Sequence, residues 1–214
     1  MKIAIVNYQA GNVRSVAKAI EKAGQIPVVT DDPEVIAGAD GLVFPGQGAN
    51  DPAMRALKER HLVDPIKEFV RSGRPFLGVC LGLQLLLQSS EEGIEPCLGV
   101  FSGKVRKLPQ GLKVPHMGWN QVQFYKEHEV FRGIPNGSYF YYVHSYYADP
   151  SDLSLVAGVT DYGVRFCSAI AFDNVVSTQF HPEKSGALGL RIYENFVRLV
   201  ASKRVVRHGS NPSR

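Results

Sequence analysis

The sequence predicts an α/β fold in which a central, mostly parallel sheet carries helices on both faces. Two observations support this prediction. In residues 1–90, short apolar runs typical of buried strands alternate with segments whose apolar residues recur at helical spacing. After Gly93, β-rich runs separated by turn residues follow one another with little helix between them. Alternating strands and helices build parallel βαβ units, whereas consecutive strands add antiparallel partners. We therefore expect one domain whose second half extends the sheet with antiparallel strands.

The first half shows the alternation element by element. A first strand is predicted at residues 2–7, and the amphipathic helix after it ends at Gly24, a residue type common at helix C-termini. The remaining elements of this half are strands at 26–30, 41–44 and 75–79 and helices at 33–37, 53–60, 62–72 and 82–88.

The second half is predicted from β-rich runs and one closing helix. Leu190, Tyr193, Val197 and Val200 give that helix an apolar stripe. We assign residues 1–202 to the domain and residues 203–214 to a basic, frayed C-terminal tail. The strands are predicted around Val105 and Val114 and at 122–124, 139–143, 154–159, 164–172 and 174–180.

Composition and charge exclude several classes of function. The 214 residues are 44% hydrophobic and 21% charged, which is typical of a globular domain with one core. No apolar stretch approaches the ~18 residues of a membrane span, and no signal peptide is recognisable, so we expect a cytoplasmic protein without a membrane partner. The basic residues at the end of the chain belong to the polar tail, which argues against a nucleic-acid partner despite the net charge of +4.

A candidate nucleophile lies where the fourth predicted strand turns into a helix. Gly78-Val79-Cys80-Leu81-Gly82 has the G-x-C-x-G pattern of a nucleophile elbow, with Cys in place of Ser. A sharp strand-to-helix turn exposes the side chain, and N–H groups at the start of a helix favour a thiolate. Cys97 and Cys167 lack this context and are interpreted as small hydrophobic side chains.

A cysteine nucleophile needs a base and a group that orients the base. His181-Pro182-Glu183 follows the last predicted strand. Because residues i and i+2 point to the same side of an extended chain, Glu183 can bind one imidazole nitrogen while the other faces the thiol. The sequence therefore predicts a Cys80-His181-Glu183 triad.

Acyl transfer also needs donors for an oxyanion. Pro45-Gly46-Gln47-Gly48 follows the predicted strand 41–44, at the same sheet edge as Cys80, and its glycines allow N–H groups to turn inward. We assign the oxyanion hole to the N–H groups of Leu81 and Gln47, with Gly46 or Gly48 as the alternative donor.

Other features of the sequence do not indicate a further functional site. The glycines of residues 45–48 could suggest a phosphate loop, but the Lys-Ser/Thr ending of that motif is missing. His116 and His144 fit a structural role at least as well as a chemical one. No histidines or cysteines are paired at metal-ligand spacing, so no metal site is predicted.

These motifs together resemble a known family. Gly-Val-Cys-Leu-Gly-Leu-Gln at 78–84, combined with His-Pro-Glu at 181–183, looks like a class I, or triad, glutamine amidotransferase domain. Within that family, Pro-His-Met-Gly-Trp-Asn at 115–120, Val-His-Ser-Tyr at 143–146 and Pro-Gly-Gln-Gly at 45–48 resemble the glutaminase subunits of imidazole glycerol phosphate synthase. The resemblance spans residues 2 to about 200.

The resemblance implies an activity and a partner. Such subunits hydrolyse glutamine to glutamate and ammonia without a cofactor, and pass the ammonia to a separate (β/α)₈ cyclase subunit of histidine biosynthesis, here expected as a 1:1 heterodimer. The resemblance also implies two sets of residues. Glutamine would be held by Gln84, Glu92 and the backbone of Ser145 and Tyr146, and the cyclase would dock on Asn12, Trp119, Tyr141 and Lys184.

Alternatives remain within and outside this branch. Glutaminases of anthranilate or guanylate synthesis share the fold, but they often carry His where this chain has Leu83. The alternative from another class is a catalytically silent scaffold of the same fold, and the intact Cys80, His181 and Glu183 argue against it. Members of the predicted branch often carry Val where this chain has Gln47; because the expected donor is a backbone N–H, the chemistry does not require Val.

Overall fold

A computed structural model describes residues 1–9 and 11–209. The helices are α1 Val13–Lys22, α2 Pro33–Ala37, α3 Asn50–Glu59, α4 Val63–Arg71, α5 Leu81–Gln84 and α6 Gly186–Gly209. The strands are β1 Ile3–Val6, β2 Val28–Thr30, β3 Gly41–Gly46, β4 Phe76–Cys80, β5 Ser89–Ser90, β6 Gly103–Lys107, β7 His116–Phe124, β8 Ser138–His144, β9 Tyr146–Pro150, β10 Val156–Asp161, β11 Arg165–Phe172 and β12 Val175–Thr178. None of the described helices is both long and apolar enough to cross a membrane.

The central sheet confirms the predicted change from parallel to antiparallel pairing. Its order is β2-β1-β3-β4-β12-β11-β10-β7-β8, and β5, β6 and β9 join it beside β11. Every pair from β2 to β12 is parallel, and every pair from β12 to β8 is antiparallel. The fold is thus a single α/β domain with a mixed sheet.

Helices cover both faces of the parallel strands because these strands are apolar on both sides. In β1, Ile3 and Ile5 pack in a cluster with side chains of α1 and α6, whereas Ala4 and Val6 face a second cluster with α2, α3 and α4. All four residues of β1 are buried. Such a continuous apolar run is what a strand buried on both faces requires.

Two helices begin with side chains that cap their first turn. The Asn12 side chain accepts the N–H of Ser15 at the start of α1, at 3.2 Å. Asp32 accepts the N–H of Glu34 at 2.8 Å, and Pro33 occupies the first turn of α2, where no N–H is needed.

Several elements differ from the prediction. The helix predicted at 82–88 ends at Gln84, because the carbonyls of Leu85, Leu86 and Leu87 accept N–H groups from residues 98–101 rather than from a further helical turn. No strand forms at Val114; β7 begins at His116, after Pro115, which has no N–H for a ladder. Residues Leu153–Leu155 form a 3₁₀ turn, so the strand predicted at 154–159 begins at Val156. Strands β5 and β9 were not predicted.

The C-terminal boundary also differs. The tail was predicted to begin at Lys203, but helix α6 continues to Gly209. Residues 203–209 are therefore helical, and residues 210–214 of the predicted tail lie outside the described residues.

Three neighbouring strands bring the predicted site residues to one edge of the sheet. In the register of β3 and β4, Gly46 lies beside Cys80, and in that of β4 and β12, Thr178 lies beside Val79. Parallel strands present their carboxyl ends at the same edge, where ligands bind in open α/β sheets.

Candidate active site

Cys80 occupies a strained turn at the end of β4. Its φ is 54° and its ψ −108°, a conformation that L-residues with a side chain seldom adopt, and α5 starts at the next residue. The side chain is 6% exposed. This geometry confirms the strand-to-helix elbow that the G-x-C-x-G pattern predicted.

The glycines around Cys80 are required by close packing. A Cβ at Gly78 would meet the Ser177 hydroxyl on β12, and a Cβ at Gly82 would overlap the carbonyl oxygen of Phe44 on β3. The elbow can therefore sit between its two neighbouring strands only if both positions lack a side chain.

We predict that Gly82→Ala lowers the free energy of unfolding by at least ~2 kcal/mol, because the colliding atom belongs to the backbone of β3 and cannot rotate away. Gly38→Ala is the matched control. Gly38 has a negative φ, and the nearest atom to an added Cβ would be the carbonyl oxygen of Glu34, at 3.3 Å. Urea unfolding of both variants tests this. Equal losses of stability would contradict the packing argument.

His181 and Glu183 form a buried pair next to the elbow. Nδ1 of His181 lies 2.8 Å from Oε1 of Glu183, and both side chains are 2% exposed. The backbone N–H of His181 donates to the carbonyl of Tyr141, which fixes the residue against β8. The pairing of the two side chains was predicted, but the reason given for it was wrong. Pro182–Lys184 form a 3₁₀ turn, so Glu183 reaches the imidazole across a turn rather than along an extended chain.

The second oxygen of Glu183 and the second nitrogen of His181 have different environments. The hydroxyl of Tyr193 on α6 donates to Oε2 of Glu183 at 3.4 Å. Nε2 of His181 is buried and makes no hydrogen bond within the part of the chain that the structure describes. Since Glu183 occupies Nδ1, Nε2 is the nitrogen available to the thiol.

The charge state of His181 is governed by its neighbours. Burial alone lowers the pKa of the imidazole, but the negative charge of a Cys80 thiolate, together with the charge and the hydrogen bond of the Glu183 carboxylate, raises it to about 10. A protonated His181 beside a thiolate is the state in which a cysteine nucleophile is ready to attack.

One cavity of about 260 Å³ joins Cys80 to most of the other predicted site residues. Its size suits a ligand of amino-acid dimensions rather than a larger cofactor. The predicted residues that line it are Gln47, Gly48, Cys80, Leu81, Gln84, Glu92, Ser145 and Tyr146. Pro115, Val143 and His144 complete the wall.

Gly46 lies directly beside the cavity and could not carry a side chain. A Cβ there would collide with the hydroxyl of Tyr8 and with Cβ of Leu81. This contact brings the end of β3 against the first residue of α5, so the two predicted oxyanion segments are neighbours. Which of their N–H groups binds an oxyanion stays a prediction.

Glu92 is held at the cavity by a segment that the sequence did not reveal. Its Oε2 accepts the backbone N–H of Asn50 at 2.8 Å. Burial raises the pKa of the Glu92 carboxyl, while the Asn50 hydrogen bond opposes the rise. Asp51 accepts the N–H groups of Ile94 and Glu95, which fixes the loop after Glu92 to the start of α3. Asn50 and Asp51 lie in no recognisable motif, so no sequence signal pointed to them.

Gln179 is a second residue that the sequence analysis missed. It is fully buried, and its Nε2 lies 3.6 Å from Sγ of Cys80, where it donates a hydrogen bond to the sulfur. Its Oε1 accepts Nε2 of Gln84 at 3.0 Å. The only available signal was its position two residues before His181, on the same side of an extended segment.

Three of the four predicted docking residues lie close together. The Trp119 and Tyr141 rings pack edge to face at 6.2 Å, and Nζ of Lys184 lies 5.9 Å from the centre of the Tyr141 ring. Trp119 is 55% exposed, which is unusual for so large an apolar side chain. Asn12 has the capping role described above, and its contact with a partner stays a prediction.

The fold and the site define a glutamine amidotransferase of the triad type. The family model for class-I glutamine amidotransferases matches residues 4–200. Solved structures share the fold: Thermotoga maritima PurLQS has a TM-score of 0.72 at 16% identity, covering 95% of this chain and 98% of that chain. The glutaminase domain of Trypanosoma brucei CTPS has a TM-score of 0.67 at 16% identity, covering 94% of each chain.

Relatives with higher sequence identity show to which branch of the family the chain belongs. The chain is 52% identical to imidazole glycerol phosphate synthase subunit HisH of Syntrophotalea carbinolica, over 91% of this chain and 98% of the relative. It is 48% identical to the same subunit of Moorella thermoacetica, over 98% and 97%. The chain therefore belongs to the class-I glutamine amidotransferase family and, within it, to the imidazole glycerol phosphate synthase HisH subunits. This confirms the resemblance drawn from the motifs.

Proposed function

We propose that this chain hydrolyses glutamine to glutamate and ammonia and delivers the ammonia to a separate cyclase subunit of imidazole glycerol phosphate synthase, in histidine biosynthesis. The observation that carries the proposal is the strained Cys80 elbow beside the buried His181–Glu183 pair. The 52% identity to a HisH subunit supports the particular pathway.

The reaction begins when His181 takes the thiol proton of Cys80 through Nε2. The thiolate attacks the side-chain carboxamide carbon of glutamine, and the N–H groups of Leu81 and Gln47, with Gly46 or Gly48 as the alternative, stabilise the oxyanion. His181 then gives its proton to the departing nitrogen, and ammonia leaves a γ-glutamyl thioester on Cys80.

The second half of the reaction restores the enzyme. Water enters where ammonia left. His181 removes a proton from this water as the water attacks the thioester carbonyl. The carbon–sulfur bond breaks, glutamate leaves, and Cys80 regains the proton that His181 holds. Glu183 keeps the imidazole oriented and stabilises its charged form throughout. Every step uses residues of this chain and needs no metal or organic cofactor.

Glutamine is held at its amino-acid end by acceptors in the cavity. Both N–H groups of the Gln84 amide are engaged, one with the Tyr146 carbonyl at 2.7 Å and one with Gln179. The atom that Gln84 has left for a ligand is Oε1, an acceptor suited to an ammonium group. Glu92 supplies a second acceptor, and the backbone of Ser145 and Tyr146, which also line the cavity, makes further contacts with glutamine.

The cyclase is proposed to dock on the surface formed by Trp119, Tyr141 and Lys184, with Asn12 contributing, in a 1:1 heterodimer. The exposed apolar side chains of Met117 and Trp119 on β7 support this choice, because aromatic residues and Met are enriched at the cores of protein interfaces. A (β/α)₈ partner and a cytoplasmic location follow from the pathway.

Glutamate release tests the proposed function. It is measured for the purified chain alone, then with the cyclase subunit, then with the cyclase and its nucleotide substrate. We expect slow turnover alone and a rise on adding partner and nucleotide. Absence of turnover with a verified, bound cyclase would contradict the assignment, and favour a different amidotransferase branch or a silent scaffold.

A further inference from the structure

Two buried histidines beside the cavity have no part in the mechanism above. His116 on β7 and His144 on β8 are directly opposite each other in the strand register and are 3% and 6% exposed. Nδ1 of His116 lies 2.9 Å from Nε2 of His144. His144 lines the cavity, and its Nδ1 lies 2.9 Å from the carbonyl oxygen of Tyr146.

The Tyr146 carbonyl determines which nitrogen of each imidazole carries the proton. Because a carbonyl oxygen can only accept, Nδ1 of His144 must carry hydrogen, and its Nε2 presents a lone pair when the ring is neutral. Nδ1 of His116 must then donate to that lone pair. The remaining His116 Nε2 is an acceptor, and the Asn120 amide nitrogen lies 3.3 Å from it.

The surroundings keep both rings neutral. Burial lowers the pKa of His116 to about 4. Burial, with contributions from the neighbouring His116 and His181, lowers the pKa of His144 to about 3, although the hydrogen bond to the Tyr146 carbonyl opposes the fall. The His116 ring is also stacked between Tyr142 and Tyr162, with ring centres 4.8 and 3.9 Å away, which holds its plane.

The same carbonyl fixes a second chain of hydrogen bonds that leads to the nucleophile. The Gln84 amide must turn Nε2, not Oε1, toward the Tyr146 oxygen. Gln84 Nε2 then meets Oε1 of Gln179, so Gln179 turns its own Nε2 toward Cys80 Sγ. The orientation of both amides thus depends on where the Tyr146 carbonyl points.

We propose that His144, supported by His116, is a positioning residue for glutamine: its Nδ1–H holds the Tyr146 carbonyl in the orientation that turns Oε1 of Gln84 into the cavity. The inference rests on the proposed function, because that function identifies glutamine as the substrate. Loss of the Nδ1–H frees the Tyr146 peptide to rotate, and the acceptor that glutamine requires is then no longer held. The main effect falls on KM, because Gln84 contacts the Tyr146 carbonyl directly; the effect on kcat is smaller, because that carbonyl reaches Cys80 only through the two successive amides of Gln84 and Gln179.

Kinetics of the complex with the cyclase tests the positioning role. His144→Phe keeps a ring but removes both nitrogens, whereas His144→Asn retains an N–H donor near the position of Nδ1. We expect His144→Phe to raise KM for glutamine about 10-fold, as for loss of one buried hydrogen bond, with kcat changed less than ~3-fold. His144→Asn is expected to stay within ~3-fold of wild type. The exposed His61, changed to Asn, is the control and should leave both constants unchanged. An unchanged KM in His144→Phe, or no rescue by Asn, would overturn the proposal.

A spectroscopic measurement on the wild-type chain is independent of turnover and of variant folding. The ¹⁵N shifts and two-bond ¹H–¹⁵N couplings of the imidazoles distinguish the tautomers. At neutral pH we expect the Nδ1–H form for both His116 and His144. The Nε2–H form or an imidazolium at either residue would overturn the proposal. Absence of glutamine turnover in the wild-type complex would instead contradict the proposed function, and the tautomers would still decide the hydrogen-bond assignment.

Discussion

Cys80→Ala is expected to abolish glutamine hydrolysis, with a loss of at least ~10⁴-fold, because no other group at the elbow can form the thioester. Binding of the cyclase should be unaffected, since Cys80 is 6% exposed inside the cavity while the proposed docking surface lies on β7, β8 and the turn after His181. Glutamate release and cyclase binding by titration calorimetry measure the two effects separately.

Cys167→Ala is the matched control for Cys80→Ala. Cys167 is a free, buried thiol on β11, and burial raises its pKa to about 12, so it stays protonated and inert. Its replacement should leave turnover unchanged. Turnover above background in Cys80→Ala would remove Cys80 from the role of nucleophile.

Glu183→Gln is expected to lower kcat/KM for glutamine by at least ~10²-fold. The amide can still accept from Nδ1 of His181, but it lacks the negative charge that helps to raise the pKa of the imidazole. The pKa of His181 should therefore fall, and the charged pair with Cys80 should be less populated at neutral pH. The pH dependence of kcat/KM, recorded for the wild type and the variant, measures both consequences.

Two variants make the Glu183 result specific. Tyr193→Phe removes only the 3.4 Å hydrogen bond to Oε2 and should have a much smaller effect than loss of the charge. Glu129→Gln, at an exposed carboxylate, should have none. A wild-type rate in Glu183→Gln would mean that the carboxylate does not orient or charge the base.

Local patterns predicted the geometry around Cys80 and the pairing of His181 with Glu183, for a physical reason. The elbow needs glycines on both sides of Cys80 because strands β3 and β12 leave no room for side chains, so the motif appears in consecutive residues. His181 and Glu183 are likewise near neighbours in sequence. Parallel strands place their carboxyl ends at one edge, and this rule was enough to join Cys80 to the loop after β3.

Long-range hydrogen bonds account for what could not be predicted. Gln84 meets the Tyr146 carbonyl across 62 positions, and Asn50 meets Glu92 across 42. No pattern in the sequence predicts either contact, because each depends on how distant segments of the chain pack. The helix after Cys80 is short for the same reason, since residues 98–101 take the carbonyls that a longer helix would have used. Strand β9 forms because β6 and β11 offer it partners.

The most direct test of the account is to trap the covalent intermediate. The complex with cyclase and nucleotide is mixed with glutamine, quenched in acid during turnover, digested and examined by mass spectrometry. We predict that the peptide containing Cys80 gains the mass of one γ-glutamyl group, and that the gain disappears in Cys80→Ala. Continued glutamate release with no glutamyl group on Cys80, or with one on another residue, would contradict the thioester mechanism.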